Sequence, residues 1–350
     1  MTYSQKRKKY RLIMIIMAAA ILVEIVFCTT LGAADIPFSS AVRAVLSRFG
    51  IFNNIINIAD IKESHITIIT QLRLPRVILC ASVGAGLSVT GASFQGIFRN
   101  PLADPYIIGA SSGGALGAAV AIVLGSKVGF LSFGMVSAFA FVGSLAATFI
   151  AYILGRTGGK VSIAAIILSG IALNSLFSSV LSLILLFNKN QMNQIIYWTM
   201  GSFSAAGWDQ VSIVLPGLTI GIIILYLYSR DLNLMLLGEE SAVHLGVNTN
   251  RLKIIILFTG ALITGLSVAV SGVIGFIGII IPHIIRIIIG PDNRIMIPFA
   301  AVGGAMFLMA ADGMSRVLIS PAEIPVGILT AAIGGPFFIA LLLKSKKKIV

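Results

Sequence analysis

The chain is divided into apolar runs of about twenty residues by short polar breaks, and this pattern limits its fold more than any other feature. Charged residues are only 11% of the 350, whereas an ordinary soluble domain carries about 25%. A soluble core stops growing at about 250–300 residues, so it cannot bury this many apolar helices. Each run is long enough to cross the roughly 30 Å hydrocarbon core of a bilayer. The pattern predicts an all-α, polytopic membrane protein.

Ten apolar segments are predicted to span the membrane, within a single domain of residues 1–350. They are 12–34, 74–98, 106–125, 129–155, 161–187, 211–229, 254–272, 274–289, 295–315 and 324–343. The first is too long for a signal-peptide core of about 7–15 residues, so we interpret it as a retained span. The polar and aromatic segment 188–210 is predicted to form a short helix at the membrane interface.

The distribution of basic residues predicts the orientation. Ten spans place both termini on one side, which then holds the N-terminal tail 1–11, the loop 230–253 and the C-terminal tail 344–350. Most of the 25 Lys and Arg residues fall on that side. Because cytoplasmic loops are rich in Lys and Arg, we predict that both termini are cytoplasmic. The net charge of +13 is then explained by topology rather than by nucleic-acid binding.

Short sequence matches suggest an internal repeat. Gly86-Leu-Ser-Val89 recurs as Gly265-Leu-Ser-Val268, and Gly113-Gly-Ala115 recurs as Gly303-Gly-Ala305. With ten spans, the first copy runs inward and the second runs outward, which is the inverted arrangement common in transporters. Matches of three or four residues in a glycine-rich chain also arise by chance, and that alternative stays open.

Three arginines are predicted near the outer membrane face: Arg73, Arg76 and Arg316. One interpretation is that they anchor helix ends at the interface. The other is that they form a docking site for an acidic protein partner, since exposed arginines pair with carboxylates through two hydrogen bonds. Arg316 has a further explanation, an ion pair with Asp312 one helical turn before it.

The loop 230–253 is predicted to contain a short amphipathic helix. Its functional residues are Gly238, Glu239, Glu240, Ala242, Leu245 and Gly246. Ala242 and Leu245, with Val243, are predicted to make the apolar side, and Gly246 to end the helix. Membrane-surface helices usually carry basic polar faces, and this one is acidic. We therefore expect it to dock on a soluble protein.

The fifth predicted span carries a polar face. Helical spacing places Asn174, Ser175, Ser178, Ser179 and Ser182 on one side of it. Small polar residues of this kind either join helices to one another or line a hydrated pathway for a bulky, polar solute. Both interpretations stay open from the pattern alone.

The sequence lacks the motifs of an enzyme. It has no Walker A loop, no zinc-protease motif and no nucleophile elbow. Energy must then come from an ion gradient or from a partner. Gradient-driven carriers usually show intramembrane carboxylates, and the available ones are Glu24 in the first span and Asp312 and Glu323 near span ends. This scarcity favours a partner.

Five ordered motifs carry a resemblance to a known family. They are Arg73-Leu-Pro-Arg76, Asn100-Pro-Leu-Ala-Asp-Pro105 with Gly109-Ala-Ser-Ser112, Gly238-Glu-Glu240 with Leu245-Gly-Val247, Gly275-Phe-Ile-Gly278 with Pro282-His-Ile-Ile-Arg286, and Glu323-Ile-Pro-Val-Gly327 with Gly334-Gly-Pro336. Over nearly its whole length the chain resembles the FecCD/BtuC-like permease subunits of type II ATP-binding-cassette importers for iron–siderophores, haem and vitamin B12.

The resemblance implies a homodimer in a bacterial cytoplasmic membrane, two cytoplasmic ATPases that bind ATP and Mg, and an extracytoplasmic substrate-binding protein. The permease itself then binds no cofactor or metal. The resemblance assigns the three arginines to binding-protein docking and the 238–246 helix to ATPase coupling. It further implies a cytoplasmic gate at Asn100, Leu102 and Ser162, and a pathway lined by the fifth and tenth spans.

The expected substrate is an iron chelate, either a siderophore complex or haem. Cobalamin is the alternative, and a gradient-driven secondary transporter is the more remote one.

Overall fold

The computed structural model describes residues 3–48, 60–128, 133–158 and 160–346, and these are nearly all helical. The first eight α-helices are α1 (Tyr3–Thr30), α2 (Phe38–Arg48), α3 (Glu63–Thr67), α4 (Leu74–Phe98), α5 (Ala110–Val128), α6 (Phe133–Leu154), α7 (Ile163–Phe187) and α8 (Met192–Thr199). The others are α9 (Trp208–Leu227), α10 (Ser229–Leu236), α11 (Glu239–His244), α12 (Thr249–Ser271), α13 (Ile277–Ile289), α14 (Asn293–Ser315) and α15 (Val326–Lys346).

Four shorter elements also occur among the described residues. A π-helical turn, Ile68–Arg73, leads into α4, and a 3₁₀ turn, Pro105–Ile108, precedes α5. Strands β1 (Arg156–Thr157) and β2 (Lys160–Val161) form a two-stranded antiparallel hairpin between α6 and α7. The prediction of an all-α fold is confirmed apart from this hairpin.

Every predicted span is occupied by a helix. Among the described residues, seven helices are long and apolar enough to cross a membrane, and α5, α13 and α15 supply three shorter apolar helices in the remaining segments. The predicted interfacial helix corresponds to α8. Residues 1–2 and 347–350 of the predicted tails and 129–132 of the fourth segment lie outside the described residues.

Helix α4 runs through the centre of the bundle, and small residues allow its neighbours to approach closely. A Cβ atom at Gly84 would collide with the carbonyl oxygen of Gly304 in α14, and one at Gly91 with that of Gly278 in α13. Between membrane helices, such backbone contact replaces the hydrophobic driving force available in water. The glycines of α4 therefore have a packing role.

The loop before α5 returns into the bundle. Gly109, with a φ of +89°, lies against Leu173 in the middle of α7. Ser112 at the start of α5 donates a hydrogen bond of 2.6 Å to the side-chain oxygen of Asn174. Helix α5 therefore begins well inside the bundle, which explains its shorter length.

Helix α13 also starts inside the bundle, after the non-helical residues 272–276. Gly278 at its first turn packs against Pro105 from the other broken segment. The Tyr106 hydroxyl donates to the carbonyl oxygen of Ile274 at 3.1 Å and accepts from the Ile274 N–H at 3.3 Å. One phenol thus satisfies both main-chain groups where the helical ladder is interrupted.

The two halves of the chain pack reciprocally. Helix α4 packs on α14, where Gly84 meets Gly304, and α12 packs on α6, where Gly265 meets Ser144. The helices α4–α6 and α12–α14 thus form two triplets. The first helix of one triplet, α4, lies against the third helix of the other, α14, and α12 lies against α6 in the same way. This arrangement agrees with the repeat beginning at Gly86 and Gly265. The Gly-Gly-Ala matches fall in α5 and α14, which do not hold corresponding positions.

Candidate functional site

The bundle has two ends with different chemistry. We call the end that holds the start of α4 and the end of α14 the arginine end, because Arg73, Arg76 and Arg316 meet there. The opposite end, which holds α11 and the start of α12, we call the α11 end. The candidate pathway face of α7 lies between them.

Arg73 fixes the end of α1. Its guanidinium group donates to the carbonyl oxygens of Thr29, Thr30 and Ala34 at 2.8–3.0 Å. The last carbonyls of a helix have no partner within it, and they carry partial negative charge. Arg73 supplies donors to these carbonyls, and it is buried as a result.

Arg76 and Arg316 share one buried carboxylate. Arg76 Nη2 lies 2.9 Å from Asp312 Oδ1, and Arg316 Nε lies 3.1 Å from Asp312 Oδ2. Arg76 also pairs with Glu323 at 2.9 Å, and the Glu323 side chain is 40% exposed. The intrahelical pair that we considered for Arg316 is therefore present, in a larger cluster.

These contacts correct the expectation of freely exposed arginines. Their side chains are largely inside the protein, with exposed fractions of 11% for Arg76 and 3% for Arg316. All three nevertheless line one cavity of about 350 Å³, together with Glu323 and Phe203. Three guanidinium groups face only two carboxylates there, so the cavity retains an excess of positive charge. Whether it receives a partner stays a prediction.

At the α11 end, the predicted short helix is present. It begins after Gly238, whose φ of +124° favours glycine, and it ends before Gly246, with a φ of +86°. Its predicted apolar side is only partly correct. Ala242 is fully buried, whereas Val243 and Leu245 are more than half exposed. An exposed apolar surface beside Glu240 is therefore left uncovered by the part of the chain that the structure describes.

Glu239 ties α11 to α12. Its Oε1 atom accepts hydrogen bonds from Lys253 Nζ at 2.5 Å and from Thr249 Oγ1 at 3.2 Å. Burial raises the pKa of Glu239, but the hydrogen bond and charge of Lys253 outweigh burial, so the pKa lies below its ordinary value. The carboxylate is therefore ionised at neutral pH.

The predicted gate residues lie in two separate loops. The side-chain oxygen of Asn100 accepts from the Leu102 N–H at 2.9 Å, which makes a tight turn. Ser162 caps α7, because its hydroxyl accepts from the Ala165 N–H at 3.4 Å. Both arrangements explain local structure, and the gating role stays a prediction.

The predicted pathway face of α7 divides into two parts. Asn174 and Ser178 line a cavity of about 530 Å³. Ser175, Ser179 and Ser182 are exposed, and their hydroxyls donate to carbonyl oxygens one turn earlier in α7. Within the described residues, these three hydroxyls therefore do not join α7 to another helix.

Two further residues of that cavity were not selected from the sequence. Asp104 and Tyr106 line it beside Ser112. The carboxylate of Asp104 caps the 3₁₀ turn by accepting from the Tyr106 N–H at 2.8 Å. The Asp-Pro pair predicts a helix start, but its depth in the bundle depends on the re-entry of the loop.

Comparison with known proteins identifies the family in which this architecture occurs. The profile of the FecCD transport family matches residues 16–344. The chain is 43% identical over 284 residues to the hemin transport system permease protein HmuU of Yersinia pestis, which covers 79% of this chain and 84% of that protein. It is 41% identical over 282 residues to the cobalamin import system permease protein BtuC of Halobacterium salinarum, which covers 81% of this chain and 75% of that protein.

A solved structure agrees with these likenesses. It is described as an inward-facing conformation of a metal-chelate type ABC transporter, and it matches with a TM-score of 0.81 at 30% identity, over 95% of this chain and 99% of that chain. The predictions of a type II importer permease fold and of a multi-pass membrane protein are thereby confirmed. The chain belongs to the FecCD transport family.

Proposed function

We propose that the chain works as a homodimer that moves an iron chelate inward, driven by two ATPases at the α11 end and supplied by a binding protein at the arginine end. The proposal rests mainly on the exposed surface of α11. Helix α11 is bounded at both ends by glycines and is tied to α12 by Glu239, while Val243 and Leu245 stay exposed beside acidic Glu240. A rigid helix with an uncovered apolar and acidic surface suits a protein partner.

The proposed orientation follows from the same surface. With α11 in the cytoplasm, both termini are cytoplasmic and the arginine cavity faces outward. Labelling of a His244→Cys variant tests this, because the native Cys28 and Cys80 are buried. A membrane-impermeant thiol reagent should label the variant only after intact cells are opened. Labelling from outside intact cells would contradict the orientation.

Reconstitution tests the energy source. Vesicles containing the permease, its ATPase and its binding protein should accumulate substrate only when all three and ATP are present. A matched control omits ATP and imposes a proton or sodium gradient. Uptake driven by that gradient without ATP would instead identify a secondary transporter.

The substrate is proposed as an iron chelate, which agrees with the hemin permease relative. The similar identity to a cobalamin permease keeps cobalamin as the second candidate. Purification of the binding protein encoded beside this chain, followed by titration with haem, a ferric siderophore and cobalamin, separates them. Binding of cobalamin alone would overturn the iron assignment without affecting the importer assignment.

A further inference from the structure

A buried lysine lies between α11 and the start of α7. Lys253 belongs to the second turn of α12, and only 5% of it is exposed. Its amino group donates to Glu239 Oε1 at 2.5 Å on one side and to the carbonyl oxygen of Val161 at 3.2 Å on the other. One side chain therefore bridges the α11 helix and the β2 strand.

The main chain of Val161 is held from both of its polar groups. While its carbonyl oxygen accepts from Lys253, its N–H donates to the side-chain oxygen of Asn250 at 3.0 Å. Val161 directly precedes Ser162, the cap of α7. The first two turns of α12 thus hold the residue that precedes the cap of α7.

Packing alone does not require a charged side chain at the buried position of Lys253. Burying a lysine amino group costs desolvation free energy, and an apolar residue of similar length would pack there as well. The ion pair with Glu239 and the hydrogen bond to Val161 together offset this desolvation free energy. A displacement of Glu239 therefore changes the environment of the same nitrogen that holds Val161.

We propose that Lys253 is a positioning residue that transmits movement of α11 to the first turn of α7. The inference rests on the proposed function, because it takes α11 as the contact with an ATPase. When α11 shifts, the Glu239 carboxylate carries the ammonium group with it, and the β2 strand and the start of α7 follow. The path consists of contiguous hydrogen bonds across three elements.

The functional test compares transport with ATP hydrolysis in the full complex. Lys253→Met keeps the length of the side chain and removes both donated bonds, so substrate moved per ATP hydrolysed should fall about tenfold while the ATPase stays associated. Lys253→Arg retains the charge and the donors and should recover most of the coupling. Arg251→Met, an exposed neighbour on the same helix, is the matched control and should leave the ratio unchanged.

A second measurement needs no ATPase, so it separates this inference from the proposed function. Hydrogen exchange of the purified permease should be faster in the segment 160–165 when Glu239 is changed to Gln. Glu240→Gln, at the exposed neighbouring position, should not alter it. Unchanged exchange in Glu239→Gln, or an unchanged transport ratio in an assembled Lys253→Met complex, would overturn the linkage. Failure of the wild-type chain to bind an ATPase would instead overturn the proposed function.

Discussion

Arg76 and Asp312 lie 236 positions apart in the chain and form a buried pair in which Nε is 3.1 Å from both carboxylate oxygens and Nη2 is 2.9 Å from Oδ1. The pair joins α4 to α14 at the arginine end. Because Asp312 also faces Arg316, its single negative charge balances two buried cations. This makes Asp312 the electrostatic centre of the cluster.

Replacing Asp312 should therefore destabilise the fold. Asp312→Asn keeps the shape of the side chain but leaves Arg316 without its carboxylate and Arg76 with Glu323 alone. We expect a loss of about 3–5 kcal/mol in the free energy of unfolding. Glu323→Gln is the control, because that carboxylate is 40% exposed and should contribute only about 0–1 kcal/mol. Denaturant unfolding in detergent micelles measures both. Equal losses would contradict the central role of Asp312.

Removing the Glu323 carboxylate should strengthen docking of an acidic partner. Glu323 occupies Arg76 from the cavity side, so it competes with any incoming carboxylate for the same guanidinium group. Glu323→Gln should raise the affinity for the binding protein by about three- to tenfold, since an exposed pair contributes about 1 kcal/mol.

Titration calorimetry at two salt concentrations provides this measurement. Glu63→Gln removes an exposed carboxylate from the start of α3 and controls for net charge. An equal gain in both variants would show that overall charge, rather than competition at Arg76, sets the affinity.

The glycines of α4 should differ sharply in their tolerance of a methyl group. A Cβ at Gly91 collides with the main chain of Gly278, whereas the nearest atom to a Cβ at Gly96 is 3.5 Å away, an ordinary contact. Gly91→Ala should lower the free energy of unfolding by about 1–3 kcal/mol or more, because a packed backbone cannot move aside easily. Gly96→Ala should be nearly neutral. Thermal unfolding of the two variants tests the contrast.

The attachment of α11 should persist into mildly acidic conditions. The folded pKa of Glu239 is below its ordinary value of 4.5, with Lys253, Thr249 and Arg99 outweighing burial. Its stabilisation is therefore complete above the unfolded pKa and is lost as the pH falls through the lower, folded pKa. A spin label at His244→Cys should stay immobile from about pH 7 to about pH 5 and gain mobility only once the pH falls below the ordinary pKa of 4.5.

The Glu239→Gln variant serves as the reference for this experiment. It lacks the titrating group, so its label should show the same mobility across the whole range. If the wild-type label loosened already between about pH 7 and pH 6, a group other than Glu239 would control α11.

The sequence was sufficient to predict where the long apolar helices occur, although it did not identify the short helices α2 and α10. Apolar length identified the ten segments, because a bilayer demands about twenty consecutive apolar residues per span. Local chemistry likewise predicted the end of α11, since Gly246 adopts a backbone angle that favours glycine. Both inferences use only neighbours in the chain.

What the sequence could not provide were contacts between distant segments. The burial of Arg76 depends on Asp312 and Glu323. These residues are far apart in the chain, and no pattern in one sequence indicates that they are in contact. The exposure of Leu245 was missed for a related reason. Helical spacing places it beside Ala242, but the packing of α10 and α12 on α11 buries Ala242 and leaves Leu245 exposed. The depth of Asp104 likewise depends on how the loop before α5 folds back.

The contact of Tyr106 with Ile274 ties the two interrupted segments together near their middles. The bundle is thus joined between its two ends as well as at the arginine end and the α11 end. Because the Tyr106 hydroxyl is the partner of both main-chain groups of Ile274, its loss would leave an interruption in the second half of the chain that only water or a changed backbone could satisfy.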